Sequence, residues 1–138
     1  MKTDIEKVKI INLPSNYDKR GILTSIEASL DIPLEILRIF YMHHIIGERG
    51  GHAHIETDQV VIPVYGSFKV TVFDGKSTLM FIMDEATKGL YLPRLLFIEL
   101  YDFSSGAVCL VLANTHYDIK KSLRNRQDYL NYIHTKLS

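Results

Sequence analysis

The chain has 138 residues, of which 46% are hydrophobic and 23% charged, and its 16 basic residues balance 16 acidic ones. This length and composition fit one globular domain with a sizeable core, and they exclude a disordered or fibrous chain. The zero net charge argues against a protein that neutralises nucleic-acid phosphate, because such binding needs an excess of Lys and Arg. No apolar stretch resembles a signal peptide or is long enough to span a bilayer, so we expect a cytoplasmic protein without a membrane partner.

Short strands separated by turn residues make up most of the chain. We predict strands at residues 8–11, 22–26, 36–42, 59–64, 68–73, 77–83, 89–92, 96–101 and 107–113. The run 68–73 alternates with period two, the pattern of a half-buried strand, and the following Asp74-Gly75 is a strong hairpin signal. Pro63 indicates an edge, a bulge or the end of its strand. Short strands at intervals of roughly 8–12 residues predict an all-β sandwich or barrel in a single domain, covering about residues 5–116.

The C-terminal segment changes to helical periodicity. Apolar residues recur there at spacings of three, four and seven, at Ile119, Leu123, Leu130, Ile133 and Leu137. We therefore predict a helix over about residues 118–137, with Asp118 as its N-cap. We interpret the basic residues of this segment as a solvated helix face, or alternatively as a dimer contact: Lys120, Lys121, Arg124, Arg126 and Lys136.

A His-x-His pair, His52 and His54, is the most informative feature of the sequence. On a strand, residues two apart share a face, so both imidazoles would point the same way. The metal-binding cupin pattern continues with three or four residues, Glu, six residues and Gly. Here four residues lead to Gln59 and six more to Gly66, so the spacing is kept while a neutral amide replaces the carboxylate ligand.

The second half of the cupin pattern is also altered. After Gly89 and Pro93, Leu95 stands at the position of the pattern's glycine, and Ile98 stands at that of its last histidine ligand. Two of the four expected ligands are therefore replaced, and two imidazoles alone do not complete the coordination of a divalent metal. We predict no metal and no other cofactor at this site.

The histidine pair is instead predicted to transfer protons. Histidine titrates near neutral pH, so it both accepts and donates protons at working pH. Tyr41 on the preceding strand would assist this transfer. Arg49 beside the pair would bind a diphosphate or stabilise an enediolate.

These residues lie within longer stretches that resemble the dTDP-4-keto-6-deoxyglucose 3,4-ketoisomerases. That family consists of WxcM-like cupins with an RmlC-like double-stranded β-helix, or jelly-roll, barrel. The similarity covers nearly the whole chain, and its most specific parts are Arg-Gly-Gly-His-Ala-His at 49–54 and Glu-Leu-Tyr-Asp-Phe-Ser at 99–104. The other stretches in common are 18–21, 26–27, 36–41, 58–60, 89–93, 111–113 and 117–118.

The resemblance implies an isomerase that needs no metal or redox cofactor. It would remove the proton at C3 of a dTDP-linked 4-keto-6-deoxy sugar, pass through an enediol and return a proton at C4, in deoxysugar biosynthesis for a surface polysaccharide. The catalytic residues would be His52, His54 and Tyr41. The residues expected to bind the substrate are Arg49, Arg38, Gln59, Arg94 and Tyr101. Family members are homodimers, so we expect a homodimer in which N-terminal strands join the partner's sheet.

Three departures from the family pattern leave other functions open. Phe97-Ile98 replaces the usual Trp-His, Ile55 follows His-Ala-His where Lys is common, and the loop with His43 and His44 is unusual. Ile98 removes a polar group from the pocket, which favours a cupin that binds a nucleotide sugar without turning it over. A related keto-sugar epimerase is the other alternative, because it needs a similar base and acid around an enolate.

Overall fold

The computed structural model describes residues 3–137, apart from the side chain of Leu137. The strands are β1 (Lys9–Asn12), β2 (Ser15–Asp18), β3 (Gly21–Thr24), β4 (Arg38–Met42), β5 (Arg49–His54), β6 (Gln59–Tyr65), β7 (Phe68–Phe73), β8 (Thr78–Met83), β9 (Lys88–Leu92), β10 (Phe97–Tyr101), β11 (Val108–Ala113) and β12 (Ser122–Leu123). Short 3-10 turns lie at Ile5–Lys7 and Ile119–Lys121, and the helix α1 at Arg126–Leu137. No helix in the described residues is both long and apolar enough to cross a membrane.

Ten of the strands build two antiparallel sheets of five. Sheet 1 has the strand order β1-β9-β6-β11-β4, and sheet 2 has the order β12-β5-β10-β7-β8. β2 and β3 pair with each other as a separate hairpin. The predicted all-β fold with one C-terminal helix is confirmed. The two sheets enclose a common core as a sandwich, and they do not close into the predicted barrel.

The main core lies between the two sheets, where alternate side chains of the strands point inward. In β7, Phe68 and Val72 are buried in this core, and the residues on the other face are half-buried. In β6, Val61 faces this core, while Val60 and Ile62 pack on the opposite side of sheet 1. Burial on both faces explains why β6 has a continuous apolar run instead of an alternating pattern.

A further layer covers the outer face of each sheet. On sheet 1 this layer is the long loop before β4, which buries Ile32 and Leu34. On sheet 2 it is α1, whose Tyr129 is fully buried against Phe97. The Tyr129 hydroxyl donates a 2.8 Å hydrogen bond to the carbonyl of Leu95. Apolar burial and this polar contact together hold the helix on sheet 2.

The predicted start of the helix at Asp118 is wrong. The Asp118 carboxylate instead accepts a hydrogen bond from the backbone N–H of Lys120 and begins a 3-10 turn. β12 follows and pairs with β5, so the helix begins only after Asn125. The Asn125 side-chain oxygen caps the helix by accepting a 2.8 Å bond from the N–H of Asp128. The basic residues between positions 120 and 124 consequently lie outside the helix.

The predicted strands agree with the observed ones to within two residues at each end, but β2, β5 and β12 are not among the predicted ranges, although the histidine pair of β5 was expected on a strand. The bulge indicated by Pro63 is confirmed. Pro63 pairs with Cys109 and Tyr65 pairs with Val108, so Val64 is an extra residue in β6. β6 pairs with β9 only through its first three residues, so the ladder on that side needs no N–H from the proline.

Candidate active site

A cavity of about 750 Å³ opens between β4, β5 and the segment that leads from β11 to α1. Both predicted histidines line it, together with Arg38 and Arg49. The segment after β11 contributes a further set of wall residues: Thr115, His116, Tyr117, Asp118, Lys121, Ser122 and Arg124. The volume is that of a small-molecule site, and the imidazole and guanidinium groups in its wall favour an anionic ligand.

A bulge in β5 brings Arg49 and His52 to the same cavity. Residues three apart on a regular strand face opposite sides of the sheet. Here the pairing of β5 with β10 skips Gly51, so one extra residue separates the two side chains. Gly50 and Gly51 have φ angles of 83° and 72°, a region that favours glycine. This bulge was not predicted from the sequence, although the Gly-Gly pair is its signal.

The two imidazoles contact each other on the cavity wall, edge to face, with ring centroids 4.8 Å apart. Ala53 between them packs in the layer beneath α1, as strand alternation requires. Nε2 of His54 lies 3.3 Å from the amide nitrogen of Gln59, and its Nδ1 lies 3.4 Å from the hydroxyl of Ser122. Because the amide donates to Nε2, the neutral ring carries its proton on Nδ1. Gln59 thus fixes the tautomer of His54.

Burial and positive neighbours keep both histidines neutral. The pKa of His54 falls from 6.5 to about 4, first because the ring is buried and then because His52, Arg38 and Arg124 repel added charge. The pKa of His52 is also lowered, mainly by burial, although a backbone hydrogen bond with Gly50 opposes the shift. At neutral pH both rings are therefore in the form that accepts a proton.

A smaller cavity of about 110 Å³ continues from His52 into the core. The side chains around it are apolar except for those of Arg49, His52 and Gln59. Ile98 is one of these apolar residues, and it pairs with His52 across β10 and β5. The inner end of the site therefore presents hydrocarbon where the cupin pattern has a histidine. Among the described residues, no group of three or more His, Cys, Asp or Glu side chains is placed to hold a metal ion.

The wall of the main cavity also carries a positive and aromatic group, in which Arg38 was predicted to bind substrate but Phe40 and Tyr117 were not. The Arg38 guanidinium lies 5.3 Å from the ring centre of Phe40 and 5.5 Å from that of Tyr117. Its buried Nε has no hydrogen-bond partner within residues 3–137. A buried donor without a partner is costly, and an anionic oxygen in the cavity would satisfy it.

Lys121 and Arg124 also line this cavity wall; the charge of Lys121 is paired with Glu56 at 3.2 Å, so Arg124 is the residue of the two that adds positive charge. The helical spacing of the apolar residues around them led to their interpretation as part of a solvated helix face. The 3-10 turn and β12 place them on the cavity instead. The only sequence signal for this wall was the match of Tyr117-Asp118 to the ketoisomerases.

The structure does not bring three of the predicted site residues to the cavity. Tyr41 is 62% exposed on the outer face of β4, because the alternate residues of that strand take the inward positions. Arg94 forms a two-pronged contact with the Asp58 carboxylate, with both N–O distances at 3.1 Å. Tyr101 lines a separate cleft on the surface. The geometry of one chain therefore gives no support to a role for these three residues in the site.

Comparison with known proteins defines first the class and then the family. A two-sheet sandwich with a histidine pair on the wall of its cavity is typical of a cupin. The chain belongs to the family described as FdtA: WxcM-like, C-terminal, whose model matches residues 6–134. It is 36% identical over 127 residues to the TDP-4-oxo-6-deoxy-alpha-D-glucose-3,4-oxoisomerase of Aneurinibacillus thermoaerophilus, and the match covers 91% of each chain.

Two solved structures extend the comparison. A histidine-to-asparagine variant of QdtA, a 3,4-ketoisomerase from Thermoanaerobacterium thermosaccharolyticum in complex with TDP-4-keto-6-deoxyglucose, is 31% identical, with a TM-score of 0.90 and coverage of 96% of this chain and 97% of that one. RmlC, the dTDP-6-deoxy-D-glucose-3,5-epimerase of Legionella pneumophila, is 17% identical, with a TM-score of 0.75 and coverage of 94% and 80%. The RmlC match supports the fold alone. The predicted family and the RmlC-like cupin fold are confirmed.

Proposed function

We propose that this chain is a 3,4-ketoisomerase that converts TDP-4-keto-6-deoxyglucose, or a related TDP-linked 4-keto-6-deoxy sugar, to its 3-keto isomer in deoxysugar biosynthesis for a surface polysaccharide. The observation that carries this proposal is the neutral pair His52 and His54 on the wall of a cavity with an unsatisfied guanidinium donor. The curated relative is named for this reaction, and the QdtA variant holds this sugar nucleotide. The isomerisation needs only proton transfer, which two neutral imidazoles supply.

The positive wall of the cavity would take the diphosphate of the substrate. Arg38, Lys121 and Arg124 all line this cavity. Guanidinium groups bind phosphate oxygens through paired N–H donors, and the free Nε of Arg38 is such a donor. Tyr117 beside Arg38 offers an aromatic surface to the nucleoside. The sugar would then extend towards the two histidines and Arg49.

The proposed reaction begins when an imidazole removes the proton at C3 of the sugar. The electron pair of that C–H bond forms a C3=C4 double bond, and the C4 oxygen takes up a proton to give the enediol. The C3 hydroxyl then loses its proton to become the new ketone, and C4 receives a proton. No electrons leave the sugar, so the balance requires no redox partner. His52 and His54 would carry these protons, and Arg49 would stabilise the negative oxygen of the intermediate.

Exposed apolar surfaces support a homodimer with exchange of N-terminal strands. The β2–β3 hairpin pairs with neither five-stranded sheet, and its Ile22 and Leu23 are exposed. β4 is an edge strand of sheet 1, and its outward Ile39 and Tyr41 are also exposed. A hairpin from a second copy placed on β4 would cover both surfaces. Tyr41 would contact substrate only if this assembly brought it to a partner's cavity. The cytoplasmic location stays a prediction.

Turnover in D₂O tests the proposed function. Incubation with TDP-4-keto-6-deoxyglucose should give the 3-keto sugar nucleotide, and NMR would follow its formation. His52→Asn should lower kcat by about 100-fold or more, since a general base contributes roughly 10²–10⁴. Affinity for TDP, measured by calorimetry, should stay close to that of the unsubstituted protein. His43→Asn, on an exposed residue outside the cavity, is the matched control and should keep full activity.

Ile98 favours one alternative function, a cupin that binds the sugar nucleotide without turnover. The apolar inner cavity offers no proton donor at the position of the missing histidine. Binding of TDP without isomer formation on a panel of TDP-linked 4-keto sugars would replace the isomerase proposal with this one. A product that keeps its C4 ketone and gains deuterium at another carbon would instead identify an epimerase.

A further inference from the structure

β8 is the last strand of sheet 2 and has one open edge. It pairs with β7 along its full length, and within residues 3–137 no other strand lies beside it in the sheet. Its outer row of backbone N–H and C=O groups is therefore available to a further strand. Natural edge strands are usually protected by Lys, Pro, bulges or short length. β8 has the sequence Thr-Leu-Met-Phe-Ile-Met, which contains no Lys and no Pro, and its pairing with β7 has no bulge.

The surface of β8 is apolar on the face that α1 covers elsewhere. Met80 and Ile82 are 52% and 57% exposed. They pair with Thr71 and Lys69 on β7, so they share the outer face of sheet 2. The helix packs on Phe97 and Phe73 of that face and does not cover Met80 or Ile82. An open edge with exposed apolar side chains is a surface to which another strand adds readily.

The charges that flank β8 show which strand fits this edge. In an antiparallel pair of two identical strands, a two-fold axis at Met80 places residues whose numbers sum to 160 opposite each other. Met80 then faces its own copy and Thr78 faces Ile82. Lys76, in the turn before β8, then comes opposite Asp84, which directly follows β8, on each side of the axis. Both Lys76 and Asp84 are exposed, and within residues 3–137 neither has an ion-pair partner.

We propose that β8 is a self-association edge, on which a second copy of this chain adds its own β8 antiparallel about a two-fold axis at Met80. Such a contact uses the same patch on both copies and therefore closes on itself. The five strands of sheet 2 from each copy would form one continuous sheet. This contact lies on the sheet opposite the one that carries β4, so it is independent of the N-terminal exchange and of the catalytic proposal.

The mass in solution tests the proposal without any need for activity. Light scattering across a wide range of concentration should give a weight-average mass that Met80→Lys clearly lowers, because the lysines would meet on the axis. Val64→Lys places the same change on an exposed residue of β6, an internal strand, and should leave the mass unchanged. Circular dichroism and thermal melting establish that both variants fold. Equal masses for the unsubstituted protein and Met80→Lys would overturn the proposal.

Cross-linking tests the two-fold axis itself. Met80→Cys should form an intermolecular disulfide on mild oxidation, because the axis brings residue 80 against its own copy and the native Cys109 is buried. Thr78→Cys, on the same face, is separated from its copy by four residues, or roughly 13 Å, and should not cross-link. Equal cross-linking of the two variants would refute this register.

A charge exchange distinguishes specific pairing of the two β8 strands from nonspecific association. Lys76→Glu places like charges opposite each other at both ends of the pair and should weaken association. The double variant Lys76→Glu/Asp84→Lys restores opposite charges and should recover the mass of the unsubstituted protein. A double variant that stays as weak as the single one would contradict the pairing of Lys76 with Asp84.

Discussion

His54 makes the stability of this protein depend on pH, because its native environment excludes the protonated form. The pKa of His54 is about 4 in the folded protein and 6.5 in the absence of that environment. Between these values the unfolded chain binds a proton that the folded chain does not, so stability rises with pH there. The contribution of His54 to the free energy of unfolding should be greatest above pH 6.5 and decrease towards pH 4, by roughly 3 kcal/mol in total.

Urea unfolding at a series of pH values measures this dependence. In His54→Gln the titrating group is gone, so the decrease between neutral pH and about pH 4 should be clearly smaller than in the unsubstituted protein. His43→Gln removes an exposed imidazole outside the cavity and serves as the control. If the two variants kept the same pH dependence, the burial of a neutral His54 would not be its cause.

Arg38 and Arg94 were both predicted to bind substrate, and the structure separates them. Arg38 lines the cavity with an unpaired Nε, whereas Arg94 is held by Asp58. Arg38→Gln should weaken TDP binding by about 10-fold or more, since a charge-assisted hydrogen bond contributes roughly 1.5–3 kcal/mol. Arg94→Gln should leave TDP affinity unchanged. Calorimetric titration of both variants with TDP decides between these roles, and equal losses of affinity would contradict the assignment.

At the level of secondary structure, the β5 bulge controls where Arg49 lies. A Cβ atom at Gly50 would lie 2.9 Å from the carbonyl oxygen of Ile98, and its φ of 83° disfavours any other residue. Gly50→Ala should therefore cost about 1–3 kcal/mol of stability. Because the bulge aims Arg49 at the cavity, the variant should also bind TDP-4-keto-6-deoxyglucose more weakly. Thermal melting and the KM of the folded fraction measure the two effects, and an unchanged KM would show that the bulge does not position Arg49.

Tyr129 is the fully buried residue by which α1 attaches to sheet 2, with Ile133 packed in the same cluster. Tyr129 is buried against Phe73 and Phe97, and its hydroxyl bonds to the carbonyl of Leu95. Tyr129→Phe should cost about 1 kcal/mol, the contribution of one buried hydrogen bond. Tyr129→Ala should cost about 3–5 kcal/mol, because it also leaves a cavity. Urea unfolding measures both. No loss in Tyr129→Phe would mean that the hydroxyl contributes nothing, and equal losses in the two variants would mean that the packing of the ring contributes nothing.

Element prediction succeeded where periodicity was local and failed where pairing at a distance decided the structure. The run 68–73 shows its strand period directly, and β7 has the predicted bounds. The spacing of apolar residues between 119 and 137 looks helical, but pairing with β5 turns residues 122–123 into a strand. The helix is capped by Asn125 and not by the predicted Asp118, and both residue types are favoured at N-caps. Sequence spacing does not distinguish these two starts.

At the scale of the molecule, the sequence predicted the centre of the site better than its periphery. His52 and His54 share a face because of strand geometry alone, and the structure places both on the cavity. Lys121 and Arg124 reach that cavity through the path of the chain after β11, which no local pattern encodes. Tyr41 lies on the outer side of β4 because inward and outward side chains alternate along this strand and Arg38 points inward. Tertiary packing, and not the local sequence, decides which set of alternate residues points inward.

Two separate apolar surfaces carry the two proposed contacts between copies, and their effects on mass should be separable. The β2–β3 hairpin exposes Leu23, which is 62% exposed and would be covered by N-terminal exchange. Leu23→Glu should therefore lower the mass of any assembly that uses the hairpin, because it would bury a charge against a partner's sheet. Ile46→Glu, at a loop residue that is 94% exposed, is the control and should not change the mass.

Combining Leu23→Glu with Met80→Lys tests whether the two surfaces act independently. Each single variant should retain the contact made by the other surface, and the double variant should be a single chain by light scattering. The activity of that single chain then shows whether one cavity is complete on its own. Full activity would mean that His52, His54 and the positive wall suffice, whereas loss of activity only in Leu23→Glu variants would mean that a partner's residues complete the site. A double variant that remains associated would show that a third surface holds the copies together.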